Sequence, residues 1–138
     1  QGDFVPRIRP ELLAAAEEIA ARLSDGNVQI LDTRTPQEFT GEFSVTERGG
    51  HIPGALRIDW DCTLSDGYAF KPADVLRAQL EEAGIRPDKE TYLYCLSGPR
   101  AAHLYIAMKH AGYGTLKLYD RSWSEWGNRR DLPVATAE

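Results

Sequence analysis

The sequence predicts an α/β fold in which helices cover both faces of a doubly wound, mostly parallel sheet. Short apolar runs rich in β-branched and aromatic residues alternate along the chain with stretches whose apolar residues recur at helical spacing. Glycine, proline or small polar clusters mark the changes between them. The 138 residues suit one domain, and 42% hydrophobic with 27% charged residues is an ordinary globular composition.

The first predicted elements are a helix and a buried strand. Residues 10–23 carry their apolar side chains on one helical face, which predicts an amphipathic helix that ends at the polar residues 24–26. Residues 28–31 are apolar and β-rich, which predicts a buried strand ending at Asp32.

A second helix is predicted after Thr35, a favourable N-cap residue. Pro36 suits the first helical position, and Glu38 stands where a capping box needs a carboxylate. A polar, glycine-bearing loop over 41–51 then leads to a second short strand within 55–59.

The second half of the chain continues the alternation. Helices are predicted over 72–83 and 100–111, strands over 91–95 and 116–120, and a short last helix within 122–130. The side chains predicted to point inward from the first of these helices are Val75, Leu76, Leu80 and Ala83.

Three predicted strands end in polar or reactive side chains, namely Asp32, Cys95 and Asp120. In a parallel sheet these ends share one edge, which is where α/β proteins bind ligands. This position makes Cys95 a candidate functional residue. The alternative is a small buried core residue, as many free cysteines are.

The residues after Cys95 favour function. A helix that begins near Arg100 turns its unpaired amides and positive dipole end toward the loop, and Gly98 permits a backbone closed to other residues. The result is a ring of N–H donors suited to a thiolate or to an anion bonded to the sulfur. Arg100 adds a permanent positive charge at the back of the ring, and Pro99 contributes no donor.

A cysteine in such a ring can attack phosphorus or sulfur. Only residues 96–99 separate Cys95 from Arg100, one residue fewer than in the loops of cysteine phosphatases. The smaller ring fits a terminal persulfide sulfur better than a tetrahedral phosphate, so the spacing favours sulfur transfer.

Four motifs in this order resemble a rhodanese (thiosulfate sulfurtransferase) domain over nearly the full chain. They are ILDTR with EFTGE behind it at 30–42, GGHIPGA at 49–55, CLSGPR at 95–100 and YDRSWSEWG at 119–127. The segments around GGHIPGA and SWSEWG are most similar to the C-terminal, catalytic half of two-domain thiosulfate and 3-mercaptopyruvate sulfurtransferases. That likeness implies an upstream, catalytically silent rhodanese-like domain.

The resemblance also implies a mechanism. Cys95 corresponds to the nucleophile, which takes sulfur from a small donor anion, becomes a persulfide and passes the outer sulfur to a thiol or cyanide. Neither a metal nor an organic cofactor is implied. The loop residues expected to hold the persulfide and its donor are Leu96, Ser97, Gly98, Arg100 and Ala101.

Two departures leave the donor, thiosulfate or 3-mercaptopyruvate, open. Leu96 and Ser97 stand where thiosulfate-specific loops of this family carry basic residues. Arg121 stands where the family usually has glycine, so this position either needs a permissive backbone or supplies a substrate-binding charge. Arg48 lies in a loop that could also reach the site. A phosphatase or arsenate reductase of the same fold and a non-catalytic rhodanese-like binding module are the alternatives.

Other singled-out residues are interpreted as structural. We expect Asp32 and Arg34 to hydrogen-bond the loop after the first strand, and His51 to stabilise its turn. The remaining interpretations are an exposed helix position for His103, an inert thiol for Cys62, and packing for Trp126 and for Trp123, the latter also closing the site mouth.

Charge and composition limit the classes of partner and of site that the chain is expected to have. A net charge of −5 argues against nucleic acid, and no apolar run approaches the length of a membrane span. Two cysteines without CxxC spacing and three scattered histidines predict neither a disulfide framework nor a zinc site. We expect a linker-like segment over 1–9, the domain over 10–130 and a tail over 131–138. We also expect a cytoplasmic protein, with a removed targeting segment left open.

Overall fold

The computed structural model of the chain describes residues 2, 3, 5–7 and 9–136. Residues 1, 4, 8, 137 and 138, which belong to the predicted terminal segments, lie outside the described residues. The four predicted strands are confirmed, some of them shorter than expected. They are β1 (Val28–Asp32), β2 (Leu56–Arg57), β3 (Glu90–Tyr94) and β4 (Leu116–Leu118).

The strands form one parallel sheet in the order β2-β1-β3-β4. Leu31 lies opposite both Leu56 and Leu93, so β1 occupies the interior of the sheet. Because all four strands run in one direction, their carboxyl ends share an edge, as the sequence predicts. Asp32 ends β1 at this edge and Cys95 follows β3 there.

Within the described residues, five helices accompany the sheet: α1 (Ala16–Ala20), α2 (Pro36–Thr40), α3 (Ala73–Glu82), α4 (Pro99–His110) and α5 (Ser122–Trp126). The predicted capping box of α2 is present, with Thr35 accepting from the Glu38 amide while the Glu38 side chain accepts from the Thr35 amide. The described part of the chain also contains two short 3-10 turns, Pro10–Leu12 and Trp60–Thr63. No helix within the described ranges is both long and apolar enough to cross a membrane.

The two faces of the sheet bury different side chains, because successive strand residues point to opposite sides. Leu31 and Leu93 pack with α3 and α4, in a cluster that also includes Cys95. Ile30 and Tyr92 point to the other face and pack with α1 and α5. Helices therefore cover both faces, which confirms the predicted doubly wound class.

Two helix predictions are wrong in part. Residues 10–23 form a 3-10 turn and the short α1 rather than one helix, because Leu13 pairs with Leu118 and the Ala14 amide donates to the Leu118 carbonyl at 2.9 Å. These sheet-like bonds override the high helix propensity of leucine and alanine. On α3, the buried residues Leu76 and Leu80 lie one turn apart on one side of the helix. Val75 lies inside the helix but beside this buried stripe, and Ala83 follows the last helical residue, so both are exposed.

Candidate active site

Cys95 sits in the short loop between β3 and α4 and is 1% exposed. The Gly98 amide donates to the Cys95 Sγ across 3.0 Å. The chain can make this return because Gly98 has φ +101°, a left-handed value that glycine adopts without a steric penalty. The backbone freedom predicted for Gly98 is therefore confirmed.

Four other amides in the loop and at the start of α4 have no acceptor among the described residues. Throughout the part of the chain that the structure describes, the N–H groups of Leu96, Ser97, Arg100 and Ala101 donate to no protein atom. The last two belong to the first turn of α4, whose dipole is positive at this end. The loop thus combines a buried sulfur with several uncommitted donors.

Asp120 approaches this loop from beyond β4. A Cβ placed on Gly98 would lie 2.7 Å from Asp120 Oδ1 and 3.1 Å from the Asp120 carbonyl oxygen. The third predicted strand end therefore meets the cysteine loop in space, and only a residue without a side chain fits between them.

Arg100 forms a two-pronged ion pair with Glu38. Its two terminal nitrogens each donate to one Glu38 carboxylate oxygen at 2.9 Å. Burial alone would raise the pKa of Glu38, but hydrogen bonds from Arg100 and the Thr35 amide outweigh it and lower the pKa to about 2. The pKa of Arg100 is raised, mainly by Glu38 and to a smaller extent by Cys95. The positive charge predicted behind the ring is thus balanced by a carboxylate.

The sequence predicts the capping-box role of Glu38 but not its ion pair with Arg100. Only that local spacing is visible in the sequence, since 62 positions separate Glu38 from Arg100. The same carboxylate holds the start of α2 and the guanidinium at the start of α4.

A profile of the rhodanese-like domain family matches residues 15–129. The chain belongs to this family.

Several curated relatives of this rhodanese-like chain are sulfurtransferases by name. It is 37% identical over 133 residues to the thiosulfate sulfurtransferase of Azotobacter vinelandii, covering 96% of this chain and 49% of the relative. It is 34% identical over 137 residues to the 3-mercaptopyruvate sulfurtransferase of Escherichia coli K12, covering 97% of this chain and 48% of that relative. The chain therefore spans about half the length of the curated relatives it matches.

Solved structures support the fold. The anaerobic ergothioneine biosynthesis enzyme of Chlorobium limicola, solved with trimethyl histidine, superposes with a TM-score of 0.84. The match covers 94% of this chain and 33% of that one, at 22% identity. Identity this low supports the rhodanese fold alone.

The two arginines considered as further site charges lie in different surroundings. Arg121 is exposed and lines a cavity with Asp120, the other walls of which come largely from residues 13–17. Arg48 donates to the carbonyl oxygens of Leu132, Trp126 and Arg129. The expectation that Arg48 reaches the site is wrong, because its guanidinium is committed to the C-terminal backbone.

The left-handed residue in the YDRSW segment is not the one suspected from the sequence. Arg121 has φ −66°, so its position needs no permissive backbone, whereas Ser122 has φ +54°. The sequence leaves two interpretations of Arg121, and the one in which its position needs a permissive backbone is wrong.

Asp32 and Arg34 hydrogen-bond the loop after the first strand, as predicted, and they also form a buried ion pair. Arg34 contacts the Asp32 carboxylate at 2.6 Å and donates to the Gly50 carbonyl at 2.7 Å. His51 also holds its turn, with Nδ1 at 2.9 Å from the Phe39 carbonyl. These contacts fix the loop that precedes β2.

The predictions for His103 and Trp123 need correction, whereas the structure agrees with the prediction for Cys62. His103 is half-buried, with Nε2 at 2.8 Å from the Thr63 hydroxyl, and burial lowers its pKa. Trp123 is buried under the guanidinium of Arg34, so it packs as expected but does not close the site mouth. Burial raises the pKa of the Cys62 thiol, which agrees with an inert role.

Proposed function

We propose that this rhodanese-like domain is a sulfurtransferase that moves a sulfane sulfur through a persulfide on Cys95. One observation carries the proposal: the Gly98 amide contacts the Cys95 Sγ, and the amides of Leu96, Ser97, Arg100 and Ala101 have no acceptor among the described residues. Amide donors aimed at one place stabilise negative charge there. A thiolate and a persulfide anion are the charges that sulfur transfer develops.

The proposed reaction has two displacement steps on sulfur. The Cys95 thiolate attacks the outer sulfur of the donor, forming a sulfur–sulfur bond. With thiosulfate, the donor's own sulfur–sulfur bond breaks and sulfite leaves with the electron pair. With 3-mercaptopyruvate, the carbon–sulfur bond breaks and the enolate of pyruvate leaves, then takes a proton from water. An acceptor thiolate or cyanide next attacks the outer sulfur and regenerates the Cys95 thiolate.

Loop size supports sulfur over phosphorus as the atom attacked. Residues 96–99 are all that separates Cys95 from Arg100, and the Arg100 guanidinium is held by Glu38. A phosphoryl group would have to place a tetrahedral phosphate inside this short loop, whereas a persulfide places a single sulfur atom there. The phosphatase and arsenate reductase alternative is therefore less well supported.

The donor is proposed to be a small anion recognised partly by Arg121. Asp120 contacts Gly98, so the exposed Arg121 beside it stands at the margin of the loop. Relatives named for thiosulfate and for 3-mercaptopyruvate match this chain at similar identity, so their names do not decide between the two donors. The upstream domain and the compartment stay predictions.

Intact-protein mass after incubation with each donor tests the proposal. We expect the chain to gain the mass of one sulfur atom and to lose it again on addition of cyanide. Cys95→Ser should abolish the gain, and Cys62→Ser serves as the matched control that keeps it.

Two outcomes would contradict sulfur transfer at Cys95. One is a mass gain that survives Cys95→Ser but disappears in Cys62→Ser. The other is no gain with either donor combined with Cys95-dependent hydrolysis of para-nitrophenyl phosphate. Absence of both activities would favour the binding-module alternative.

A further inference from the structure

The start of α5 is hydrogen-bonded to the backbone of the cysteine loop. The Cys95 amide donates to the Ser122 hydroxyl at 3.1 Å, and the Trp123 amide donates to the Cys95 carbonyl at 3.0 Å. The Ser124 amide and hydroxyl both donate to the Leu96 carbonyl, at 2.9 and 2.7 Å. Four hydrogen bonds thus join α5 to two consecutive loop residues.

These bonds decide which way the loop amides point. In a trans peptide, the carbonyl of one residue and the amide of the next point in opposite directions. Holding the Cys95 carbonyl on α5 turns the Leu96 amide away from α5, and holding the Leu96 carbonyl turns the Ser97 amide away in the same manner. These are two of the amides that donate to no acceptor within the described residues.

Ser122 adopts an unfavourable backbone conformation at the centre of this arrangement. Its φ of +54° is uncommon for a residue with a side chain, and glycine would adopt it more easily. Glycine, however, would lack the serine hydroxyl, which is buried and acts both as a hydrogen-bond acceptor and as a donor. It accepts from the Cys95 amide and donates to the Tyr119 carbonyl at 2.8 Å, so it links the ends of β3 and β4.

We propose that Ser122 is a positioning residue, whose hydroxyl, with the first amides of α5, orients the backbone of Cys95 and Leu96. This orientation leaves the loop amides free for the charge on sulfur. The inference rests on the proposed sulfur transfer at Cys95, and it gives the segment 122–124 a positioning role in that transfer.

The test uses two substitutions that remove the hydroxyl but differ in backbone strain. Ser122→Gly relieves the strained φ, whereas Ser122→Ala keeps it, so the two variants should differ in resistance to urea. Both should shift the pH profile of Cys95 alkylation by iodoacetamide to higher pH. Both should slow alkylation at pH 7 about tenfold, since thiolates are the reactive form. Ser24→Ala, at an exposed serine before β1 at the opposite edge, should leave the profile unchanged.

Equal alkylation profiles for the parent and both folded variants would overturn the proposal. If neither variant folds, Ser124→Ala replaces them, because this exposed hydroxyl can be removed while the amide bond to Leu96 remains. It should shift the profile in the same direction, and an unchanged profile would overturn the inference. Alkylation does not require sulfur transfer. If the parent forms no persulfide but the Ser122 variants still shift the pH profile of Cys95 alkylation, the proposed function is contradicted and the positioning role of Ser122 is supported.

Discussion

Glu38→Gln should weaken the domain through the loss of one ion pair. Glutamine keeps an oxygen that can accept from the Thr35 amide, so the capping box survives and the charge is removed. In the parent, both terminal nitrogens of Arg100 contact the Glu38 carboxylate at 2.9 Å. The substitution leaves that guanidinium with a neutral partner.

The pKa of Glu38 sets the size of the effect. A fall from its ordinary 4.5 to about 2 corresponds to roughly 3 kcal/mol of preference for the charged form. The Glu38 side chain is 10% exposed and that of Arg100 is 26% exposed, so solvent screens the pair only in part. We therefore expect Glu38→Gln to lower the free energy of unfolding by about 2 kcal/mol, between the values for exposed and buried pairs.

The loss should depend on pH with a definite sign. Because the pKa of Glu38 is lower in the folded chain than in the unfolded chain, the ion pair stabilises the fold above about pH 4.5. That contribution disappears as pH falls from 4.5 toward 2, so the unfolding free energies of parent and variant should converge.

Urea unfolding followed by tryptophan fluorescence at pH 7, 5 and 3 measures this difference. Glu81→Gln is the matched control, since Arg77 and Glu81 form a pair at 2.9 Å whose side chains are both 45% exposed. We expect it to change stability by no more than about 0.5 kcal/mol. A Glu38→Gln deficit that stays constant from pH 7 to 3 would refute the ion-pair explanation.

Two further substitutions test the loop and its margin. Gly98→Ala should destabilise the fold by about 1–3 kcal/mol, because Gly98 has a left-handed φ and a Cβ there would meet Asp120. Gly114→Ala is the control and should not destabilise it, since a Cβ at Gly114 has nothing within 4 Å. Equal urea midpoints for the two variants would contradict the close approach of Gly98 to Asp120. Arg121→Ala should raise the apparent Michaelis constant for the anionic donor and lower kcat/KM about tenfold to a hundredfold. The effect should be smaller at high salt, which screens an exposed charge. An unchanged Michaelis constant in steady-state assays with each donor would show that Arg121 does not bind the donor.

The sheet and the position of Cys95 could be predicted because their signals are local. The apolar run that becomes β1 and the capping box at Thr35 each lie within a few residues. The end of a strand next to a glycine-containing turn and a helix start also marks Cys95 within a short segment. Parallel order then follows from the alternation of elements, without knowledge of any long-range contact.

What the sequence did not reveal depends on partners distant along the chain. The local sequence of residues 10–23 predicts a helix, because the Leu118 carbonyl that accepts a hydrogen bond from the Ala14 amide is far away along the chain. Nothing in the spacing shows that Glu38 neutralises Arg100. Similarly, the strain at Ser122 is understood only when its hydroxyl is seen on the Cys95 amide.

The contact of Leu13 and Ala14 with Leu118 has a practical consequence for shortened chains. β4 is an edge strand, and an edge strand with open carbonyls and amides can pair with another molecule. Leu13 and Ala14 cover the carboxyl end of that edge. A chain cut at residue 15, where the family profile begins, would lose this cover and expose Leu118 to intermolecular strand pairing. Starting the chain at residue 10 would keep the edge closed, so the choice between these two starts decides whether β4 remains protected from self-association.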